Sequence, residues 1–397
     1  MHSLKSFHGL ETRHPWLAVI AAALATFSVV TTEMLPVGLL SSIATSLESA
    51  TGSTGLVISL PALLAALFAP IVVIAAGGVD RRKLLCGLLM LLMIANIACA
   101  LAPNLEWMLV ARVFVGICMG GIWAIAGGLA ARLVPASSIG LATSIIFGGV
   151  AAASVLGVPL GAWIGDTLGW RWAFGCMAVL SAAVLLLQLV ALPPLVENNV
   201  ATVRQFAKLL TVRPFQVGLC LTLLLVAGHF AAFTFVQPLL LSISGFEMQW
   251  IGALLLAYGL SGIAGNFLAG TVAARHTLLT LGVIALGLFM VPLMFLAIGD
   301  SLVGGGSVLL IWGLAYGGVS VGLMTWMMKV APQTLEVATA LYVAVFNIGI
   351  ALGAWIGGQL ADGVGLRANL WLSAMLAAAA ALLVLSMKRW ARPHALV

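Results

Sequence analysis

An all-α membrane protein of twelve transmembrane helices is the fold class this sequence predicts, and three observations predict it. Hydrophobic residues fill 63% of the 397 positions and charged residues only 7%, whereas soluble domains are about half apolar and about a quarter charged. The apolar residues gather in twelve long runs. The lysines and arginines collect in alternate connections between those runs. With a mean hydropathy of +1.21, the chain cannot present a hydrated surface, so lipid is its solvent.

About 20 apolar residues carry a helix across the hydrocarbon core. Runs of that length cover approximately 16–40, 52–76, 84–102, 106–131, 137–164, 171–192, 214–242, 249–272, 277–297, 304–328, 337–361 and 368–388. None alternates with period two, so helices are expected rather than a β-barrel. The first run carries Glu33, lacks a small-residue cleavage pattern and is followed by many like it. It is therefore expected to be a span and not a cleaved signal peptide.

Charge sets the orientation. Lys5, Arg13, Arg81, Arg82, Lys83, Arg132, Arg204, Lys208, Arg213, Arg275, Lys329, Lys388, Arg389 and Arg392 fall on one side; Arg171 and Arg367 fall on the other. The positive-inside rule puts that first side, with both termini, in the cytoplasm. The net charge of +6 thus reflects membrane topology and not a nucleic-acid partner. The five cysteines lie in apolar runs without C-x-x-C spacing and read as small buried hydrophobes. No cofactor or metal is expected.

The longest polar segment, 193–213, divides the chain into an N-terminal six-helix bundle (1–192) and a C-terminal one (214–397). A short surface helix is predicted at 201–210 of this cytoplasmic linker. The halves repeat one another. Leu160-Gly161-Ala162-Trp163-Ile164-Gly165 returns as Leu352-Gly353-Ala354-Trp355-Ile356-Gly357, and Gly169-Trp170-Arg171 is echoed by Gly365-Leu366-Arg367. Gly116, Gly120, Gly121 and Pro135 match Gly313, Gly317, Gly318 and Pro332. Two parallel six-helix halves with solute between them near the midplane form a rocking device for alternating access.

Ionisable groups inside spans are costly and therefore functional candidates. Two stand out, Glu33 and Arg112. Glu33 lies three residues before the helix-loosening Pro36. A carboxylate removed from water takes up protons more readily, so Glu33 is the candidate proton carrier; a structural carboxylate tied to a neighbouring helix is the alternative. His229, with Phe230, Phe233 and Gln237, sits in the seventh span, the symmetry mate of the first with its Thr31 and Thr32. These residues and Asn347 are candidate cavity-lining groups, His229 also a candidate proton switch. Trp123 and Trp326 are candidates for stacking on a planar solute, with core packing equally open. Gly149, Ala153, Gly157, Gly161 and Gly165 make a small-residue stripe for close helix approach, with Pro159 as a bend within it. Gly318-Val319-Ser320-Val321-Gly322 fits a hydrolase pattern, but it lies inside an apolar run and not in a strand–turn–helix setting.

Taken in order, these features resemble the major facilitator superfamily, specifically its twelve-span drug–proton antiporter branch. Thr31-Thr32-Glu33-Met34-Leu35-Pro36-Val37-Gly38-Leu39-Leu40, Asp80-Arg81-Arg82-Lys83, His229 through Pro238, and Phe346-Asn347-Ile348-Gly349 are similar to bacterial exporters of sugars, purine nucleosides and amphenicol-type drugs. The resemblance spans about 15–390. It implies gating by Asp80, Arg81 and Arg82 as a cytoplasmic latch, with Arg275 their counterpart, and by Gly157, Pro159 and Gly161. It also implies that Arg112 assists proton transfer; snorkelling or pairing with backbone carbonyls is the other reading. The sequence departs from the family's loop pattern at Ala76, Lys83 and Ala274. The expectation is a proton-coupled antiporter of the bacterial inner membrane, exporting a small neutral or weakly polar solute and needing no partner subunit. A symporter or facilitator importing a nutrient, or a non-transporting receptor, is the alternative.

Overall fold

Because lipid solvates the outside, large apolar side chains are exposed as well as buried. Val190 is 82% exposed and Phe267 70%, which only a hydrocarbon environment tolerates over so much surface. The computed structural model describes residues 15–75, 79–135, 138–195, 203–331 and 334–390. Lys5, Arg13, Arg392, Ala76, Pro332 and part of the linker lie outside them.

Among the described residues, twelve helices are long and apolar enough to cross a membrane. They are α1 Pro15–Gly38, α2 Thr51–Val72, α3 Arg81–Ala100, α4 Leu105–Leu133, α5 Gly148–Thr167, α6 Trp170–Ala191, α7 Arg213–Phe233, α8 Met248–Ala273, α9 Arg275–Ile298, α10 Leu302–Val330, α11 Val337–Gly363 and α12 Leu366–Met387. An even number of crossings brings the start of α1 and the end of α12 to one end of the bundle, called here the near end. No strand occurs among the described residues. Exposed Trp107, Trp163, Trp172, Trp250 and Trp371 all lie toward the opposite, far end, as expected of an interfacial aromatic belt.

In the first half α1 packs against α4, α5 and α6; in the second α7 packs against α11 and α12. Small residues make this closeness achievable. A Cβ on Gly353 would overlap the Ala227 carbonyl and stand 3.0 Å from the Ala231 nitrogen. Two seams join the halves, α2 with α11 and α5 with α8.

The repeat is visible in backbone detail. Gly169 and Gly365 both take positive φ, 96° and 110°, a turn open to glycine that starts α6 and α12. The arginine two residues on ties down a neighbouring loop in each case. Arg171 donates to Ser46 Oγ and the Ala102 carbonyl, both at 3.0 Å, and stands 4.3 Å over the Trp170 ring. Arg367 pairs with Asp300 at 2.8 Å. Measured from these glycines, the two Leu-Gly-Ala-Trp-Ile-Gly stretches sit four residues, one helical turn, out of register. They keep the same helix face without being equivalent positions.

Two of the expected continuous spans are broken at prolines. The helix of α1 ends at Met34, tightens to a 3-10 turn over Leu35–Gly38 and resumes at Leu40–Ser46. Past the end of α7 the chain resumes as a helix over Val236–Ser242. Pro36 and Pro238 cause these breaks, since neither can donate the bond a continuous helix needs. In α5, Pro159 follows a wide turn at Ala153–Gly157, whose i→i+5 bonding steps over the missing donor. The linker helix runs Val203–Leu210, and its apolar Phe206 and Leu209 are packed into the second half's core.

Candidate solute and proton site

Prolines create the first feature of the site. Pro36 leaves the Thr32 carbonyl without its i+4 donor, and Pro61 inside α2 does the same to Val57. Arg112, fully buried on α4, supplies the absent donors. Its Nε donates to the Val57 carbonyl at 2.7 Å, Nη1 to Thr32 at 2.7 Å, and Nη2 to Glu33 at 2.9 Å. One guanidinium thus holds the broken end of α1 against α2 and α4. All three of these bonds go to backbone carbonyls.

The Glu33 side chain is buried, 3% exposed, and its Oε1 has no hydrogen-bond partner among the described residues. The carboxylate lies within electrostatic reach of Arg112, whose described bonds all go to backbone. Thr32 turns toward α3, where its Oγ1 accepts from Asn96 Nδ2 at 3.2 Å. Thr31 faces α5: a Cβ on Gly157 would stand 2.7 Å from its Oγ1.

In the second half the site is aromatic. His229 stacks between Tyr316, centroids 3.4 Å apart and 11° from parallel, and Phe233 at 4.7 Å and 23°. Tyr258 stacks on Phe233 at 4.6 Å. Trp312 meets His229 edge-on and donates its indole N–H to Nδ1 at 3.0 Å. Phe230 stands perpendicular to His229 at 5.0 Å. The charge of Glu33 is felt at Tyr316 across the two halves. Asn347 is buried on α11, its Oδ1 without a partner among the described residues and its Nδ2 on the Val343 carbonyl at 2.9 Å.

Other candidates lie apart. Gln237 bridges the halves toward the far end, its Oε1 accepting from Ser41 N at 2.9 Å. Beside it Asp362, at the end of α11, accepts from Gly52 N at 2.6 Å, Ser53 N at 2.9 Å and Ser53 Oγ at 3.1 Å, capping the start of α2 from the other half. Ser59 adds a bond to the Ala351 carbonyl at 2.7 Å. Trp326 sits at the near end, donating to the Pro214 carbonyl at 3.1 Å, and half-buried Trp123 is on α4 in the first half. At the near end Asp80 caps α3 through Arg82 N at 2.9 Å and accepts from Leu195 N at 2.8 Å, while Arg82 reaches the Leu189 carbonyl. Arg81 is buried, its backbone N–H on the Leu195 carbonyl at 2.8 Å, and Arg275 is exposed at the start of α9. Pro159 and Gly161 are buried in α5, where a Cβ on Gly161 would overlap Leu35.

Sequence reasoning missed Asn96, Tyr258, Trp312, Tyr316 and Tyr342. One signal was present: the chain has three tyrosines, all in spans of the second half, and two of them join the His229 cluster, Tyr316 on His229 and Tyr258 on Phe233.

This fold and these buried polar groups define a polytopic carrier built from two six-helix halves. The chain matches the family described as Major Facilitator Superfamily over residues 22–337 and belongs to it. It is similar to the transcription regulatory protein OpdE of Pseudomonas aeruginosa, 33% identical over 391 residues covering 96% of each chain. It is also similar in structure to a bacterial homologue of the human lysosomal transporter Spinster in an inward-facing and occupied conformation. That likeness has a TM-score of 0.77 at 17% identity, covering 96% of this chain and 98% of that one. The nucleoside transporter NupG matches with a TM-score of 0.76 at 14% identity, covering 95% and 100%. At such identities the two structures speak for the fold alone. The protein is a transporter of this superfamily and not an enzyme.

Proposed function

We propose that the chain is a proton-coupled antiporter that exports a small neutral or weakly polar organic solute, as in the drug–proton antiporter branch. The observation that carries this reading is Glu33, a buried carboxyl with an unpartnered oxygen beside a broken helix. Arg112 is already engaged with three carbonyls, so the acid is free to gain and lose a proton as the cavity changes sides. The few embedded charges disfavour a strongly anionic solute. Sugars, nucleosides and drugs fit the hydrogen-bonding and aromatic groups around His229. The near end is the cytoplasmic one by the positive-inside rule, and the ties at Gln237 and Asp362 then belong to a state closed toward the outside. Residues 1–192 and 214–397 rock as two bodies about the linker.

Purified protein in liposomes with an imposed pH gradient tests this reading, using a panel of sugars, nucleosides and amphenicols. Solute-dependent proton movement is expected in the wild type. E33Q should lose gradient-driven flux by at least about tenfold while keeping solute exchange. Undiminished proton coupling in E33Q would refute Glu33 as the carrier. The name of the Pseudomonas relative, a transcription regulatory protein, favours one second reading, a membrane sensor without flux. Solute binding with no transport in the same liposomes would select it.

A further inference from the structure

The imidazole of His229 is enclosed on both faces by Tyr316 and Phe233, and one of its two nitrogens is already committed. The indole N–H is a donor and nothing else, so Nδ1 must accept with its lone pair. A neutral imidazole that accepts at Nδ1 carries its proton on Nε2. That Nε2 is buried and has no partner among the described residues, and an unpaired buried donor is costly. We propose that Trp312 is a positioning residue. It locks His229 in the single tautomer that presents Nε2–H to the solute, and it thereby keeps His229 out of the proton count. The solute class this selects bears an acceptor oxygen or nitrogen, such as a carbonyl, hydroxyl or ring nitrogen. The proposal rests on the transport reading for its solute, though not for its tautomer.

The surroundings suit a neutral ring. Tyr316 and Trp312 come from α10, Phe230 and Phe233 from α7 itself, and Tyr258 from α8 stacks on Phe233. Glu33 of α1 and Tyr342 of α11 make no hydrogen bond to the imidazole among the described residues. No lysine, arginine or aspartate touches the imidazole among the described residues. Protonating Nδ1 would place two N–H groups head to head with Trp312. A bare Glu33 carboxylate accepts; a donor fixed on the opposite half complements it. Together they suit a solute carrying both a hydroxyl or N–H and an acceptor.

Selective 15N-histidine labelling of the intact protein in detergent tests the tautomer, with H229Q identifying the His229 signals among six histidines. The expected result is a bare Nδ1 and a protonated Nε2 that do not titrate between pH 5.5 and 8. W312F is expected to release this, giving mixed tautomers or a signal that moves with pH. A wild-type signal that titrates in that window, or a proton found on Nδ1, overturns the proposal, and that readout needs no variant to fold. In liposomes, H229F, which removes the N–H, should show an apparent solute affinity about tenfold weaker than H229Q, which keeps an N–H near the place of Nε2. Equal transport by the two variants would overturn the solute contact. Absence of any solute-driven proton movement in the wild type counts against the antiport reading and leaves the tautomer measurement decisive.

Discussion

Arg112 shows how two prolines and one cation explain each other. A proline inside a helix normally costs about 3 kcal/mol, partly for its orphaned carbonyl. Here one guanidinium answers Pro36 and Pro61 together. R112A should therefore lower stability by about 3–5 kcal/mol, since it strands three buried carbonyls. P36A restores an N–H for Thr32, so P36A/R112A should be less destabilised than the sum of the single variants. A thermal-unfolding double-mutant cycle measures this, and strict additivity would separate proline from arginine. Glu33, Arg112 and His229 were legible because an ionisable residue in a long apolar run is conspicuous. Their partners were not. Trp312 and Asn96 look like ordinary residues of greasy helices, and only chain folding places them against His229 and Thr32.

At the scale of elements, the repeated Gly-x-Arg turns at the starts of α6 and α12 look alike but are held differently. Arg171 makes two hydrogen bonds and covers an indole face. Arg367 makes an ion pair whose partners are 59% and 62% exposed, a kind of contact contributing about 0–1 kcal/mol. R171A should consequently lower the melting temperature more than R367A, and high salt should weaken the R367A effect further. Equal shifts in a thermal-stability assay would count against this. The echo of the two turns was readable from sequence because each needs glycine at positive φ. The breaks in α1 and α7 were partly readable, through their prolines. The wide turn of α5 was not, because a helix can meet a proline by kinking, tightening or widening.

For the whole molecule, the decisive contacts are those between halves. Asp362 caps α2 from α11, and Gln237 and Ser59 add ties toward the same end. D362A should weaken that closure and raise the population opened toward the far end. Spin labels at exposed Ala50 and Val364, with Cys176 and Cys220 replaced by serine, should then show a longer or broader distance distribution. An unchanged distribution would mean that the remaining seams hold the end shut without Asp362.

The class of fold, the number of crossings, the duplication and the acid in the first span were all determined by the order of residues. Composition and periodicity act locally, and a lipid solvent leaves few alternatives to helices. Which polar groups meet was decided only in three dimensions. Arg112 finds carbonyls on α1 and α2, Trp312 finds His229, and Asp362 finds the start of α2, across separations of 55 to 310 positions. Such encounters depend on how twelve helices lean on one another. That lean is set by glycine contacts and helix breaks spread over the chain, and no local stretch of sequence encodes it.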